Sequence, residues 1–150
     1  MTKEDKQLLL KDLCARLPYW VKVKVRYYYE YEDGSIKKYN EIKYFDAEIL
    51  DLLISGDRSL DDIKPYLRPM SSMTEEEKKE FIEYAGYEIE ESVNGRHYEY
   101  YLKDFCGTPN NPSVNADSVD WLNKKMFDFR GLIPKGLANE VTDYNNPYKD

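Results

Sequence analysis

The dipeptide Asp33-Gly34 constrains this chain more than any other feature. It lies between two runs, Val21 to Tyr31 and Ile36 to Phe45, in which apolar or aromatic residues are interleaved with charged ones. Asp and Gly both tolerate the positive φ of a two-residue type I′ turn, so the pattern specifies a β-hairpin. With that turn Val25 faces Ile42, Val23 faces Tyr44 and Tyr31 faces Ile36 on one side. On the other side Glu30 faces Lys37, Arg26 faces Glu41 and Tyr28 faces Tyr39. Complementary pairs across a ladder contribute about 0.2–1 kcal/mol each, and Lys24 opposite Lys43 is a mismatch of similar size. A slip of one residue would turn the valines to water, which predicts a firm register.

A second hairpin is expected around Asn94-Gly95, from Tyr87 to Leu102. Tyr87, Ile89 and Val93 share a face with Tyr98, Tyr100 and Leu102; Glu88, Glu90, Glu99 and His97 share the other. Glu90 opposite Glu99 is unfavourable, so either the register differs or a partner supplies positive charge.

Three helices are predicted. The first runs from Thr2 to Arg16, capped by Thr2 with Asp5 three residues on, and Pro18 forces the exit. Leu9, Leu10, Leu13 and Leu17 form its apolar stripe, with Cys14 expected in the core. The second begins at Ser72 or Thr74, with Glu77 reaching back to Thr74, and stops at Gly86; its apolar face is Phe81, Ile82 and Ala85. The third is capped by Asp117 or Ser118 and runs through Trp121, Leu122 and Lys125. Ala47 to Ile54 fits a short helix or a buried strand. Ile63 to Met70 holds Pro65 and Pro69 and is extended or looped. Residues 107–116 read as a loop, and Phe127 to Ala138 as an irregular apolar-rich segment.

This order contains no βαβ alternation. It predicts an α+β fold, with an antiparallel sheet built from two β-hairpins and helices packed on one side. A small SH3-like barrel made from the first hairpin and the residues through Pro69 is the alternative. One domain is expected over residues 1–141, followed by a polar, frayed tail at 142–150.

The net charge is −7. That argues against non-specific nucleic-acid binding, which needs clustered Lys and Arg, and favours a basic partner. No window holds 18 uncharged apolar residues, so no membrane span is expected. The first residues carry acids and do not read as a signal peptide. Cys14 and Cys106 lack CxxC spacing and suggest reduced thiols in a cytoplasm. Fifteen tyrosines suit either the edge of a thin sheet or a contact surface.

Three phrases carry a resemblance: Leu8 to Tyr19 (LLLKDLCARLPY), Ile63 to Glu77 (IKPYLRPMSSMTEEE), and Asp120 to Ala138 (DWLNK, then FDFRGLIPKGLA). Together they resemble a family of small proteins found in gut anaerobic bacteria, their prophages and mobile elements. The phrases cover under a third of the chain, and their combination and order are specific. The resemblance implies a bacterial cytoplasm or a phage-infected cell, and no activity, cofactor or catalytic residue. Trp20 stands where the family tends to have glycine, and Lys125-Met126 where a His-His pair is common. A metal role for that pair would not carry over to this chain.

No GxxxxGK[ST], GxGxxG or GxSxG motif occurs, so phosphate-cradling and nucleophile-elbow chemistry have no support. His97 is the single histidine and has no Cys or His near it in sequence, so neither a metal nor a cofactor is expected. Adjacent carboxylates such as Glu75 to Glu77 read as solvated faces. The candidate binding residues are Tyr66, Arg68, Trp121 and Arg130. An arginine framed by proline or glycine can hold a carboxylate or phosphate bidentately; it can equally pin its own loop to an internal acid. Trp121 fits a core anchor or a ligand platform. The leading expectation is a non-enzymatic interaction protein, an accessory factor of a phage or mobile element. Its protein partner would meet the polar hairpin faces and the Arg68 loop. The alternatives are a small-molecule or nucleotide-binding domain using Arg68 and Arg130, and an acidic mimic of nucleic acid.

Overall fold

A computed structural model describes residues 1–85 and 116–149. The second expected hairpin, His97 and Cys106 lie outside the described residues. The chain divides into two compact units, Met1–Leu67 with Leu132–Asp150, and Arg68–Gly131.

The first unit opens with α1 (Lys3–Arg16), where Thr2 and Asp5 form the expected capping box. Its buried side chains are Leu9, Asp12, Leu13 and Arg16, the spacing of a single helical face. Cys14 is one residue, about 100° of turn, past Leu13. It is exposed rather than in the core. The inward positions are taken instead by Asp12 and Arg16, both 0% exposed. Arg16 Nε donates to Asp12 Oδ2 at 2.8 Å and Nη2 to Oδ1 at 2.9 Å, a bidentate pair one turn apart.

Strands β1 (Lys22–Glu30) and β2 (Ile36–Tyr44) form the expected hairpin. Its register is one residue away from the one a type I′ turn would set: Val25 pairs Glu41, Val23 pairs Lys43, Arg26 pairs Asn40 and Glu30 pairs Ile36. The cause is in the turn. Gly34 N–H bonds Tyr31 O at 2.9 Å, Tyr31 N–H bonds Ser35 O at 2.8 Å, and Gly34 alone in the loop has positive φ, +81°. This is a three-residue loop closed by a left-handed glycine. Asp33 favours it by accepting the Ser35 N–H at 2.8 Å and the Ser35 hydroxyl at 2.6 Å. The valines stay inward, at 0% exposure. It is β2 that has turned over, carrying Ile36 and Ile42 to the outer face.

Asp46 caps α2 (Ala47–Ser55), and Gly56 ends it in the left-handed region. The undecided segment is therefore a helix. Strand β3 (Ile63–Leu67) then pairs antiparallel with β1, setting Val23 against Pro65 and Val25 against Ile63. The final strand of the unit, β4 (Asn139–Glu140), pairs with β3 in parallel. Residues 68–131 intervene, so this return has the length a parallel connection needs. The sheet order is β2-β1-β3-β4 and the sheet curls strongly into a half-barrel. The fold is α+β; the sheet is mixed rather than purely antiparallel. Its core includes Val21, Val23, Val25, Phe45, Ile63, Leu67 and Leu132, with Leu9 and Leu13 of α1.

The segment past Thr142, expected to fray, is held down by Tyr148. Its hydroxyl accepts the Lys22 N–H at 3.0 Å and donates to the Tyr66 carbonyl at 2.9 Å.

The second unit holds α3 (Glu75–Ala85) and α4 (Ala116–Lys124). Thr74 and Glu77 make the expected capping box: Thr74 N–H bonds Glu77 Oε2 at 3.0 Å, and Glu77 N–H bonds Thr74 Oγ1 at 3.2 Å. Met73, Phe81, Trp121, Leu122, Phe127 and Phe129 form its core.

Candidate functional site

The four residues singled out in the sequence are divided between the units. Tyr66 belongs to the first and is buried, which raises the pKa of its phenol. Arg68, Trp121 and Arg130 belong to the second.

Arg68 is engaged inside its own unit. Its guanidinium donates to both Glu77 oxygens, at 2.8 and 2.9 Å, and to the Ser72 carbonyl at 3.2 Å. Its plane lies 4.2 Å from the Phe127 ring centroid. The Arg68 backbone is bonded on both sides, N–H to Met126 O at 2.7 Å and O from Asp128 N–H at 2.8 Å. The guanidinium hydrogen bond holds the Glu77 carboxyl below the usual range, against the opposing effect of burial. Because Glu77 also caps α3, Arg68 pins its loop to the start of that helix.

Arg130 Nη1 donates to Asn123 Oδ1 at 3.0 Å, and its guanidinium lies 4.1 Å from the Phe129 ring. Trp121 is 3% exposed and stacks on Phe127 at 5.7 Å. Its indole N–H has no hydrogen-bond partner of good geometry among the described residues. It faces Glu80 and, with Lys125, holds that carboxyl low. These side chains build the aromatic core of the second unit.

The open surface of the first unit is its hairpin. Among the described residues strand β2 is the edge of the sheet, and all nine of its residues are exposed. Phe45 N–H bonds Val21 O at 2.8 Å at one end of the ladder, and Tyr31 N–H bonds Ser35 O at 2.8 Å at the other. Antiparallel bonding alternates residue by residue. The odd-numbered residues of β2 therefore bond β1, and the N–H and C=O of Lys38, Asn40 and Ile42 point to the open side.

The two faces of the hairpin differ. On the inner face Tyr27 stacks on Tyr39 at 5.2 Å, with the Arg58 guanidinium 4.5 Å and the Lys43 ammonium 5.2 Å from the Tyr27 ring. The Tyr27 hydroxyl and then the Glu41 carboxylate raise the pKa of Lys43. The outer face carries Lys24, Arg26, Tyr28 and Glu30 from β1, and Ile36, Lys38, Asn40, Ile42 and Tyr44 from β2. Ile36 is 63% and Ile42 55% exposed.

Trp20 adjoins this outer face. It is 67% exposed and sits in the left-handed region at φ 59°, ψ 44°, with its ring edge-on to Tyr44 at 6.0 Å. A bulky residue there stores backbone strain of about 1–2 kcal/mol. Sequence pattern alone hides this surface, because the type I′ register buries Ile42 against Val25. The one signal available was Ser35 two residues after Asp33, the spacing of a side chain that closes its own turn.

Among the described residues no group of three or more His, Cys, Asp or Glu side chains is placed to hold a metal ion. Among the same residues no helix is long and apolar enough to cross a membrane. Comparison with known proteins finds no matching family model, no matching curated protein and no matching solved structure.

Proposed function

We propose that the chain is a protein-interaction module that accepts an extended segment of its partner along the open edge of β2. The observation that carries this reading is the edge itself: nine exposed residues with alternate backbone donors and acceptors directed outward. Strand addition uses such an edge, with main-chain bonds for affinity and alternate side chains for specificity. Long flat edges are otherwise a liability that proteins shorten, cover or break with proline.

Trp20 supports the same reading. A strained, exposed tryptophan adds little to the fold, and buried aromatic anchors dominate binding energy at interfaces. With Tyr44 and Ile42 it offers an apolar landing next to the edge. The anion-site alternative using Arg68 and Arg130 has less support, since the Arg68 guanidinium is already bonded to both oxygens of Glu77.

The test is affinity capture with the wild type and with Asn40→Pro. Proline at this position removes one outward N–H and leaves the β1–β2 ladder bonds intact. A partner retained by the wild type and lost by the folded Asn40→Pro variant is the expected result. Equal capture by both proteins overturns the reading.

A further inference from the structure

We propose that the segment added to β2 is acidic, with carboxylates alternating with apolar or β-branched side chains. This rests on the strand-addition reading and specifies its chemistry.

The distribution of charge points one way. Strand β2 carries Lys37, Lys38 and Lys43 against Glu41 alone. The hairpin from Lys22 to Tyr44 has a net charge of +2, while the rest of the chain carries −9. The hairpin is a basic segment of an acidic protein.

Most of its cations are poorly compensated, Lys43 with Glu41 at 3.1 Å being the exception. On the outer face Lys24 stands directly opposite Lys64 of β3. Like charges across a ladder are destabilising unless an anion sits near them. Among the described residues, none of Lys24, Arg26, Lys37, Lys38 and Lys64 has a carboxylate within ion-pair distance. The Lys38 ammonium lies 5.6 Å from the Tyr28 ring instead.

A strand added beside β2 lies roughly 4.8 Å beyond it, with its side chains alternating between the same two faces. Carboxylates on that strand meet Lys38 on the outer face or Lys37 on the inner one. Its apolar residues cover Ile36, Ile42 and Tyr44. A second copy of the chain is a poorer occupant. Antiparallel pairing of two β2 strands centred on Asn40 sets Lys37 of one copy against Lys43 of the other. Edge lysines are a common device against such self-pairing. A nucleic acid could meet the cations, but its backbone cannot supply the ladder bonds that the edge leaves open.

The experiment uses the full chain, labelled with nitrogen-15, and three probes. These are a capped nonapeptide alternating Val or Thr with Glu, the same peptide with Lys for Glu, and a single-stranded oligothymidine. Binding is titrated, and amide hydrogen exchange is read at Lys38, Asn40 and Ile42. The expected result is that the Glu peptide binds and slows exchange at those three amides. Its affinity falls at least tenfold in Lys37→Glu/Lys38→Glu and is lost in Asn40→Pro. The Lys peptide binds at least tenfold more weakly.

If the Glu and Lys peptides bind alike and both are lost with Asn40→Pro, the acidic partner is overturned while strand addition stands. If the oligothymidine binds and Asn40→Pro leaves that binding unchanged, both readings are overturned in favour of a nucleic-acid surface. If the three amides are already protected in the free protein, the edge is occupied and both fail. Sedimentation then tells a dimer from a self-covered edge. Failure of the Glu peptide to bind an unprotected edge overturns the acidic partner.

Discussion

Tyr148 completes a rung that Tyr66 does not make with β1. The β1–β3 ladder pairs Val23 with Pro65, and the next rung along would join Lys22 to Tyr66. There the Tyr148 hydroxyl sits between the two strands, accepting the Lys22 N–H at 3.0 Å and donating to the Tyr66 carbonyl at 2.9 Å. The Lys22 ammonium reinforces the join by donating to the Pro147 carbonyl at 2.6 Å. A side chain from far along the chain thus takes the place of a backbone bond where the sheet curls away from itself.

Tyr148→Phe keeps the ring and leaves both backbone groups without that hydroxyl. The expected cost is about 1–3 kcal/mol, read by urea unfolding. The same hydroxyl has a pH signature. Burial pushes its pKa from 10.0 to about 12. The raised value means that the folded state holds the proton more tightly than the unfolded one. Stability from this group is fully present below pH 10 and is lost as pH rises toward 12. That alkaline loss, about 2–3 kcal/mol for a shift of this size, is expected to disappear in Tyr148→Phe.

Asp12→Ala removes the carboxylate that two Arg16 N–H groups bond inside the core. Breaking a buried pair on one side costs about 3–5 kcal/mol, and thermal unfolding would show it. Replacing both residues with Leu or Met is expected to recover most of the loss. A double variant as unstable as Asp12→Ala would show that the pair is needed for more than charge balance.

Arg68→Lys keeps the charge but loses the planar fork that meets both Glu77 oxygens. The expected cost is about 1–2 kcal/mol at neutral pH. The Glu77 pKa is lowered in the folded state, chiefly by Arg68. Its stabilising contribution is therefore present above the ordinary carboxylate range and is lost as pH falls through the depressed value. Acid titration of unfolding should show a smaller loss in Arg68→Lys than in the wild type.

Trp20→Gly separates folding from binding. Glycine takes the left-handed conformation without strain, whereas Trp20→Ala keeps the strain and also loses the ring contact with Tyr44. The glycine variant is expected to be more stable than the alanine variant by about 1 kcal/mol. Both should bind a β2 partner more weakly than the wild type. Unchanged partner affinity in both would remove Trp20 from the interaction surface.

Much of the architecture was legible in local signals. Thr2 with Asp5, and Thr74 with Glu77, announce their helix starts because each cap is made within four residues. Val23 and Val25 declare their buried face by alternation alone. What escaped were features decided by one atom or by distant chain. Asp33-Gly34 is compatible with a two- or a three-residue loop, and the Ser35 bonds to Asp33 choose the second. Asp12 and Arg16 look like a solvated pair on a helix until tertiary structure closes over them. The parallel pairing of Tyr66 with Asn139 leaves no local trace, since neither residue's neighbours record a partner so far along the chain. The proposed contact surface was only half visible: alternation announced the hairpin, but its apolar outer face depends on the register. Arg68 was expected either to hold an external anion or to pin its loop to an internal acid, and its guanidinium bonds Glu77.

The parallel pairing of β3 with β4 also bears on the order of events during synthesis. The hairpin from Lys22 to Tyr44 needs only neighbouring residues and can form as soon as it emerges. The far edge of β3 has no such option. It waits for Asn139, Glu140 and Tyr148, which are made only after the whole of residues 68–131. During that interval the far edge of β3 is bare as well as the β2 edge, which no other described strand covers. A ribosome paused between the two units would hold a sheet able to pair on either side, so premature termination there is expected to yield aggregation-prone fragments.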